Sequence, residues 1–161
     1  MSEDIEMDDF GINEMLEISC KKASANNIGE FSDLFPDDLE SRIQQVKDGI
    51  IDIYYVEHNG CPVGRLIANY DNQHLNNETI PGVRVCLSHF ILFKDYRNKR
   101  LGGKLLAFAL HDLRARGYKE FTVGVEEENH IAKHLYGKNG FTEIINHGSD
   151  PCEYNLYLLK D

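Results

Sequence analysis

Residues 96–106 read Tyr96-Arg97-Asn98-Lys99-Arg100-Leu101-Gly102-Gly103-Lys104-Leu105-Leu106. They follow a long apolar run, Val83 to Phe93 (VRVCLSHFILF). They open a second run in which Leu101, Leu105, Leu106, Ala109, Leu110 and Leu113 recur at helical spacing. A buried strand thus feeds a helix through a basic joint that contains a glycine pair. From Lys94 to Lys104 there are five bases and one acid. Glycine lets a backbone approach a ligand closely. The first N–H groups of a helix lack intrahelical acceptors, and the helix dipole adds partial positive charge there. A diphosphate meets both needs. The joint is not a Walker P-loop, since G-x-x-x-x-G-K-[ST] is absent. Gly-Gly-Lys alone is equally compatible with a helix start bearing solvated bases.

Further on, Asn129-x-x-Ala132-x-x-Leu135-Tyr136-x-x-x-Gly140-Phe141 forms a second pattern. Taken with Arg97-x-x-Arg100-x-Gly102, it resembles the GNAT-type N-acetyltransferases. The family's loop reads Gln/Arg-x-x-Gly-x-Gly/Ala, which Arg97 and Gly102 match. Arg100 stands where the family most often has glycine. An arginine there still donates its backbone N–H if its φ is negative, so binding is expected to survive. The motifs span roughly Val83 to Phe141, and the order of elements extends the likeness over almost the whole chain.

That order is read outward from the joint. Asp8 and Asp9 can cap a helix with Ile12, Met15, Leu16 and Ile18 on its apolar face. A short first strand around Asp4 to Met7 carries only a weak signal. Asn26 to Phe35 reads as a loop, and Pro36-Asp37-Asp38 opens a helix carrying Leu39, Ile43 and Val46, ended by Gly49. Ile50 to His58 and Cys61 to Tyr70 are strands joined by Asn59-Gly60, a type I′ hairpin signal. Asp71 to Gly82 is a polar loop. Gly117 ends the helix that starts at Leu101. Phe121 to Val125 is a strand, Asn129 to Lys138 a helix, and Phe141 to Asn146 and Tyr154 to Leu159 are closing strands. The fold class expected is α/β: a mixed, mostly antiparallel sheet of six to seven strands flanked by about four helices. No linker or repeat divides residues 1–161, so a single domain is expected. The resemblance adds a V-shaped splay between the fourth and fifth strands.

The resemblance implies an acyltransferase that moves an acetyl group from acetyl-CoA directly to an amine. The main chain of Ile91, Leu92 and Phe93 would pair with pantetheine, as in strand addition. A backbone N–H near Leu92 would stabilise the oxyanion. Arg97, Asn98, Lys99, Arg100, Leu101, Gly102, Gly103 and Lys104 would cradle the phosphates, and Asn129 would bond the pantetheine arm. Tyr136 matches the family's general acid, a phenol that protonates the leaving thiolate; without the motif it reads as a packed helix tyrosine. An alkylamine is mostly protonated at neutral pH and must lose a proton before attack. Glu126 is the first candidate base and His89 the second, with Ser88 beside it. Neighbouring strand residues point to opposite faces, so Ser88 and His89 share one only across a bulge. Glu126, Glu127 and Glu128 also suit a solvated helix entry.

His130 and His134 have a metal-ligand spacing but no third ligand, so no metal is expected. Cys86 reads as a small buried apolar residue. Cys20, Cys61 and Cys152 are scattered and follow no secretory signal, so the chain is read as cytoplasmic with free thiols. No apolar run approaches the ~18 residues of a membrane span. The 161 residues carry a formal net charge of −10. Met1 to Glu40 hold 12 acids and 2 bases, a net of −10, so the remaining 121 residues sum to zero. Net acidity argues against nucleic acid as a partner. An acidic segment beside the acceptor, where the resemblance puts it, favours a small cationic amine. Transfer to a protein N-terminus, a lysine or an aminoacyl-tRNA, and a non-catalytic acyl-CoA-binding regulatory module, are the competing readings. A homodimer accompanies the resemblance.

Overall fold

The computed structural model describes residues 17–71, 77–149 and 152–161. The proposed helix face Ile12, Met15 and Leu16 and the strand at Asp4 to Met7 lie outside these residues. Ile18 does not join a helix. It begins strand β1 (Ile18–Lys22), which pairs antiparallel with β2 (Ile51–His58) from Ile18↔His58 to Lys22↔Tyr54. The helical reading of Ile18 is therefore corrected: sheet pairing satisfies its backbone.

Asn26 to Phe35 is also more ordered than a loop. Ile28–Leu34 forms two short 3₁₀ turns that meet at a kink at Phe31 (φ −107°), and Ile28, Phe31 and Leu34 are buried. They pack with Ala23, Phe35, Ile51, Ile53, Tyr55 and Ile67, and with Leu39, Ile43 and Val46 of α1 (Leu39–Lys47). The next elements follow the expected order. Asn59 (φ 53°) and Gly60 (φ 79°) make the tight turn between β2 and β3 (Cys61–Asn69). Then come β4 (Arg84–Leu92), a short 3₁₀ turn (Lys94–Tyr96), α2 (Leu101–Ala115), β5 (Glu120–Glu126), α3 (His130–Lys138), β6 (Glu143–Gly148) and β7 (Tyr154–Lys160).

The seven strands hydrogen-bond in the order β1-β2-β3-β4-β5-β7-β6. β4 and β5 are parallel, joined by the α2 crossover, and their register runs only from Arg84↔Glu120 to Leu87↔Val123. β5 pairs antiparallel with β7 along its full length. Among the described residues, 17–67 and 89–111 pack as one compact unit, and 68–71, 77–88, 112–149 and 152–161 as another. The core of the first is the cluster around Phe31 and Tyr55, whose rings lie 4.4 Å apart. In the second, Arg84 binds Glu120 at 2.6 Å across the β4–β5 pair. Tyr136 meets Phe141 edge to face at 5.6 Å. No helix among the described residues is long and apolar enough to cross a membrane.

Candidate active site

The joint between β4 and α2 belongs to the first unit, and its shape comes from the backbone. Asn98 (φ 61°) and Arg100 (φ 64°) both lie in the left-handed region. The expectation of a negative φ at Arg100 is corrected: the position requires positive φ, which explains why glycine suits it. The chain turns sharply at these two residues and enters α2, where the Lys104 N–H donates to the Arg100 carbonyl. Arg100 is therefore the N-cap of α2, and the N–H groups of Leu101, Gly102 and Gly103 lack intrahelical acceptors. A Cβ on Gly103 would meet nothing within 4 Å, so its backbone faces open space. Leu101, Leu105 and Leu106 anchor the opposite side of the helix in the core. Half-buried donors at Gly102 and Gly103, open space beside Gly103 and four basic side chains from Arg97 to Lys104 suit a diphosphate.

The strand edge before the joint is more selective than the sequence suggested. The Phe93 N–H already donates to the Val63 carbonyl at 2.9 Å, and the Phe93 carbonyl accepts from the Tyr96 N–H. Phe93 therefore cannot offer its N–H to a ligand. Arg97 Nε donates to the Leu92 carbonyl at 3.0 Å. Alternation along a strand turns the Leu92 N–H toward the edge opposite to that of Phe93. Gly64 permits this approach, since a Cβ there would sit 2.3 Å from a Leu92 methyl and 3.0 Å from the Ile91 carbonyl oxygen.

His89 has φ 52°, so the pleat of β4 is interrupted there, as a shared facing of Ser88 and His89 requires. His89 is exposed. Partial desolvation of its ring lowers its pKa below the ordinary 6.5; Arg42 and Arg65 lower it further, and Asp38 opposes them. The Ser88 hydroxyl accepts from Asn69 Nδ2 at 2.6 Å.

In the second unit, Tyr136 is 7% exposed, and burial raises its pKa well above the phenolic range, with a smaller contribution from Cys86. The phenol is neutral, and a hydrogen-bond donor, throughout working pH. It lines a cavity of about 230 Å³ with Val125, Lys133, Gly137, Phe141, Thr142 and Tyr157. Glu126 is not part of this lining. It lies exposed at the end of β5, on the strand face opposite to Val125, and accepts from the Cys152 thiol, whose pKa it raises. The Asn129 side chain accepts from the Ala132 N–H at 3.0 Å, capping α3, and its Nδ2 donors remain for another acceptor.

Two features escaped the sequence reading. Cys86 is buried but not merely apolar: its thiol donates to the buried Glu78 at 3.7 Å, and Thr122 Oγ1 donates to the Glu78 carbonyl. A glutamate in a polar loop gives no sign of burial. The second feature is a cavity of about 430 Å³ in the first unit, lined by Asp33, Leu34, Pro36, Asp37, Asp38, Arg65, Ile91 and Phe93. The acids were legible in the sequence; the cavity was not. No group of three His, Cys, Asp or Glu among the described residues could hold a metal ion. The four cysteines form no disulfide.

The model of the acetyltransferase (GNAT) family matches residues 13–141. The chain belongs to the GNAT acetyltransferase family. This GNAT protein is therefore an acyltransferase. Its fold recurs in yncA of Salmonella typhimurium, solved with its cofactor acetyl-CoA. That match has a TM-score of 0.71 at 15% identity, covering 89% of this chain and 94% of the other. The PaiA N-acetyltransferase of Thermoplasma acidophilum, solved with coenzyme A, aligns with a TM-score of 0.68 at 16% identity over 89% and 99% of the two chains. A chain of the NatC complex, solved with Gag peptide and CoA, gives 0.71 at 17% identity over 90% and 99%. No curated protein sequence matches this GNAT protein.

Proposed function

We propose that this protein transfers an acetyl group from acetyl-CoA to the primary amine of a small cationic acceptor, by direct attack in a ternary complex. The observation that carries the acceptor class is the cavity that Asp33, Asp37 and Asp38 line together with Leu34, Pro36, Ile91, Phe93 and the buried Arg65. Asp33 and Asp37, beside an Asp38 that already pairs with Arg42 at 3.0 Å, attract an ammonium group, and the apolar lining residues receive its carbon chain.

On the donor side, the N–H groups of Leu101, Gly102 and Gly103, with Arg97, Asn98, Lys99, Arg100 and Lys104 around them, hold the phosphates. Of the strand residues, Leu92 turns its main chain to the edge away from β3, while Ile91, like Phe93, faces β3; the Leu92 N–H donates to the thioester oxygen as charge develops. Asn129 donates from Nδ2 to the pantetheine arm. His89 or Glu126 removes the ammonium proton. His89 has the advantage of a lowered pKa, which keeps it neutral at working pH. Tyr136 donates to the sulfur as the thiolate leaves. No step calls for a metal. Residues 1–161 are read as one catalytic domain that acts in the cytoplasm.

The test is a thiol-release assay with acetyl-CoA over a panel of spermidine, benzylamine, free amino acids and a peptide with a free N-terminus. Spermidine is expected to turn over fastest. A faster peptide would move the acceptor to protein N-termini, and no turnover despite tight acetyl-CoA binding would leave a binding module. Tyr136→Phe is expected to lower kcat about 100-fold, within the range of general acid catalysis, with little change in acetyl-CoA affinity.

A further inference from the structure

Arg65, on β3, is only 6% exposed. A guanidinium this deep must find acceptors, since an unpaired buried charge is strongly destabilising. Its partners are not carboxylates. Nε donates to the Leu34 carbonyl at 2.9 Å, Nη1 donates to the His89 carbonyl at 2.6 Å, and the group lies 4.6 Å from the centre of the Phe35 ring. Leu34 ends the second of the 3₁₀ turns, immediately before the stretch that brings Pro36, Asp37 and Asp38 to the cavity. His89 is the left-handed residue at which β4 turns toward Ile91 and Phe93, which also line the cavity. One planar group therefore ties together the two chain segments that make the cavity, and it also forms part of the lining.

We propose that Arg65 is the positioning residue of the acceptor pocket. Its fork sets the distance between the segment that carries Leu34 to Asp38 and the segment that carries Ile91 and Phe93, and it holds the kink at His89. Lysine keeps the charge but cannot span both carbonyls, because its ammonium is a single point on a flexible stem. The kinetic part of this proposal rests on reading the cavity as the acceptor site; the clamp itself does not.

The experiment uses full-length Arg65→Lys in two measurements. Backbone amide exchange needs no acceptor. It is expected to rise about tenfold or more in residues 28–38 and 89–93, as charge-assisted bonds are lost, and to stay within about twofold in residues 101–110. Unchanged exchange in the first two segments, or a uniform rise, overturns the clamp. In steady-state kinetics with acetyl-CoA and spermidine, KM for spermidine is expected to rise about tenfold while KM for acetyl-CoA holds within about twofold. Equal rises in both constants overturn the positioning role in favour of a general structural one. If the wild-type chain acetylates no amine, the acceptor reading fails, and the exchange result alone decides the clamp. Should Arg65→Lys not fold, Arg65→Gln, which keeps a planar donor without the charge, takes its place in both measurements.

Discussion

Residues 94–104 and residues 33–38 belong to the same compact unit and carry opposite charge, five bases and one acid against three aspartates. They also work by different means. In the first, the backbone forms the feature: two left-handed residues turn the chain, and a helix start presents free N–H groups. In the second, side chains form it: Asp33, Asp37 and Asp38 line a cavity whose other walls come from Arg65, Ile91 and Phe93. A backbone device demands particular residues at fixed spacing, because glycine and cap geometry leave few alternatives. A side-chain device needs only charge facing a space, which many sequences supply.

The largest effect is expected where charge acts directly on the acceptor. Replacing Asp33, Asp37 and Asp38 together with Asn should raise KM for a cationic amine about 10- to 100-fold, at up to about 1 kcal/mol for each partly screened charge. KM for acetyl-CoA should stay within about twofold. The effect should shrink in high salt, as exposed charges are screened. A matching change in the acetyl-CoA constant would erase the distinction between the two segments.

On the other side, Arg97→Ala removes both a cation and the bond from Nε to the Leu92 carbonyl. Acetyl-CoA affinity, measured by calorimetry, should weaken about tenfold, the scale of one hydrogen bond to a charged group. Amine KM should not move. Smaller effects come from the pH profile. If His89 is the base, it works when neutral, and its lowered pKa puts the acid limb of kcat/KM below pH 6.5. Arg42→Met removes a positive neighbour and should move that limb up; Asp38→Asn removes a negative one and should move it down. A limb that ignores both substitutions would leave Glu126 as the base.

The smallest effect tests the backbone claim itself. Arg100→Gly and Arg100→Ala lose the same charge and differ in their tolerance of positive φ. The glycine variant should be the more stable by about 1 kcal/mol, the lower end of the left-handed penalty. For a chain of this length that corresponds to about 2–4 °C in Tm. Equal stabilities would mean that the loop relaxes out of the left-handed region.

The legibility of the molecule follows the same division. The hairpin at Asn59-Gly60, the α2 stripe from Leu101 to Leu113 and the Asn129 cap were readable because each is a local rule: a turn, a period, a hydrogen bond three residues away. Ile18 was misread because its apolar side chain fits a helix face and a strand equally; pairing with His58 decided between them. The Ile28-Phe31-Leu34 repeat was present, but a period of three among Asn, Gly and Ser resembles a loop until the core closes on it. Cys86 looked apolar because its partner, Glu78, lies eight residues away in a polar stretch.

By itself, the sequence determined the family, the crossover from β4 through α2 to β5, and the basic joint for an anionic donor, because these rest on local backbone rules and fixed spacings. Only the tertiary structure decided that the aspartates before α1 face a cavity, that Phe93 has already used its N–H, and that Arg65 binds Leu34 and His89. Those are contacts between residues 24 to 31 positions apart or more. No local rule reaches that far: the partner of a buried polar group is chosen by packing, after the chain has come together.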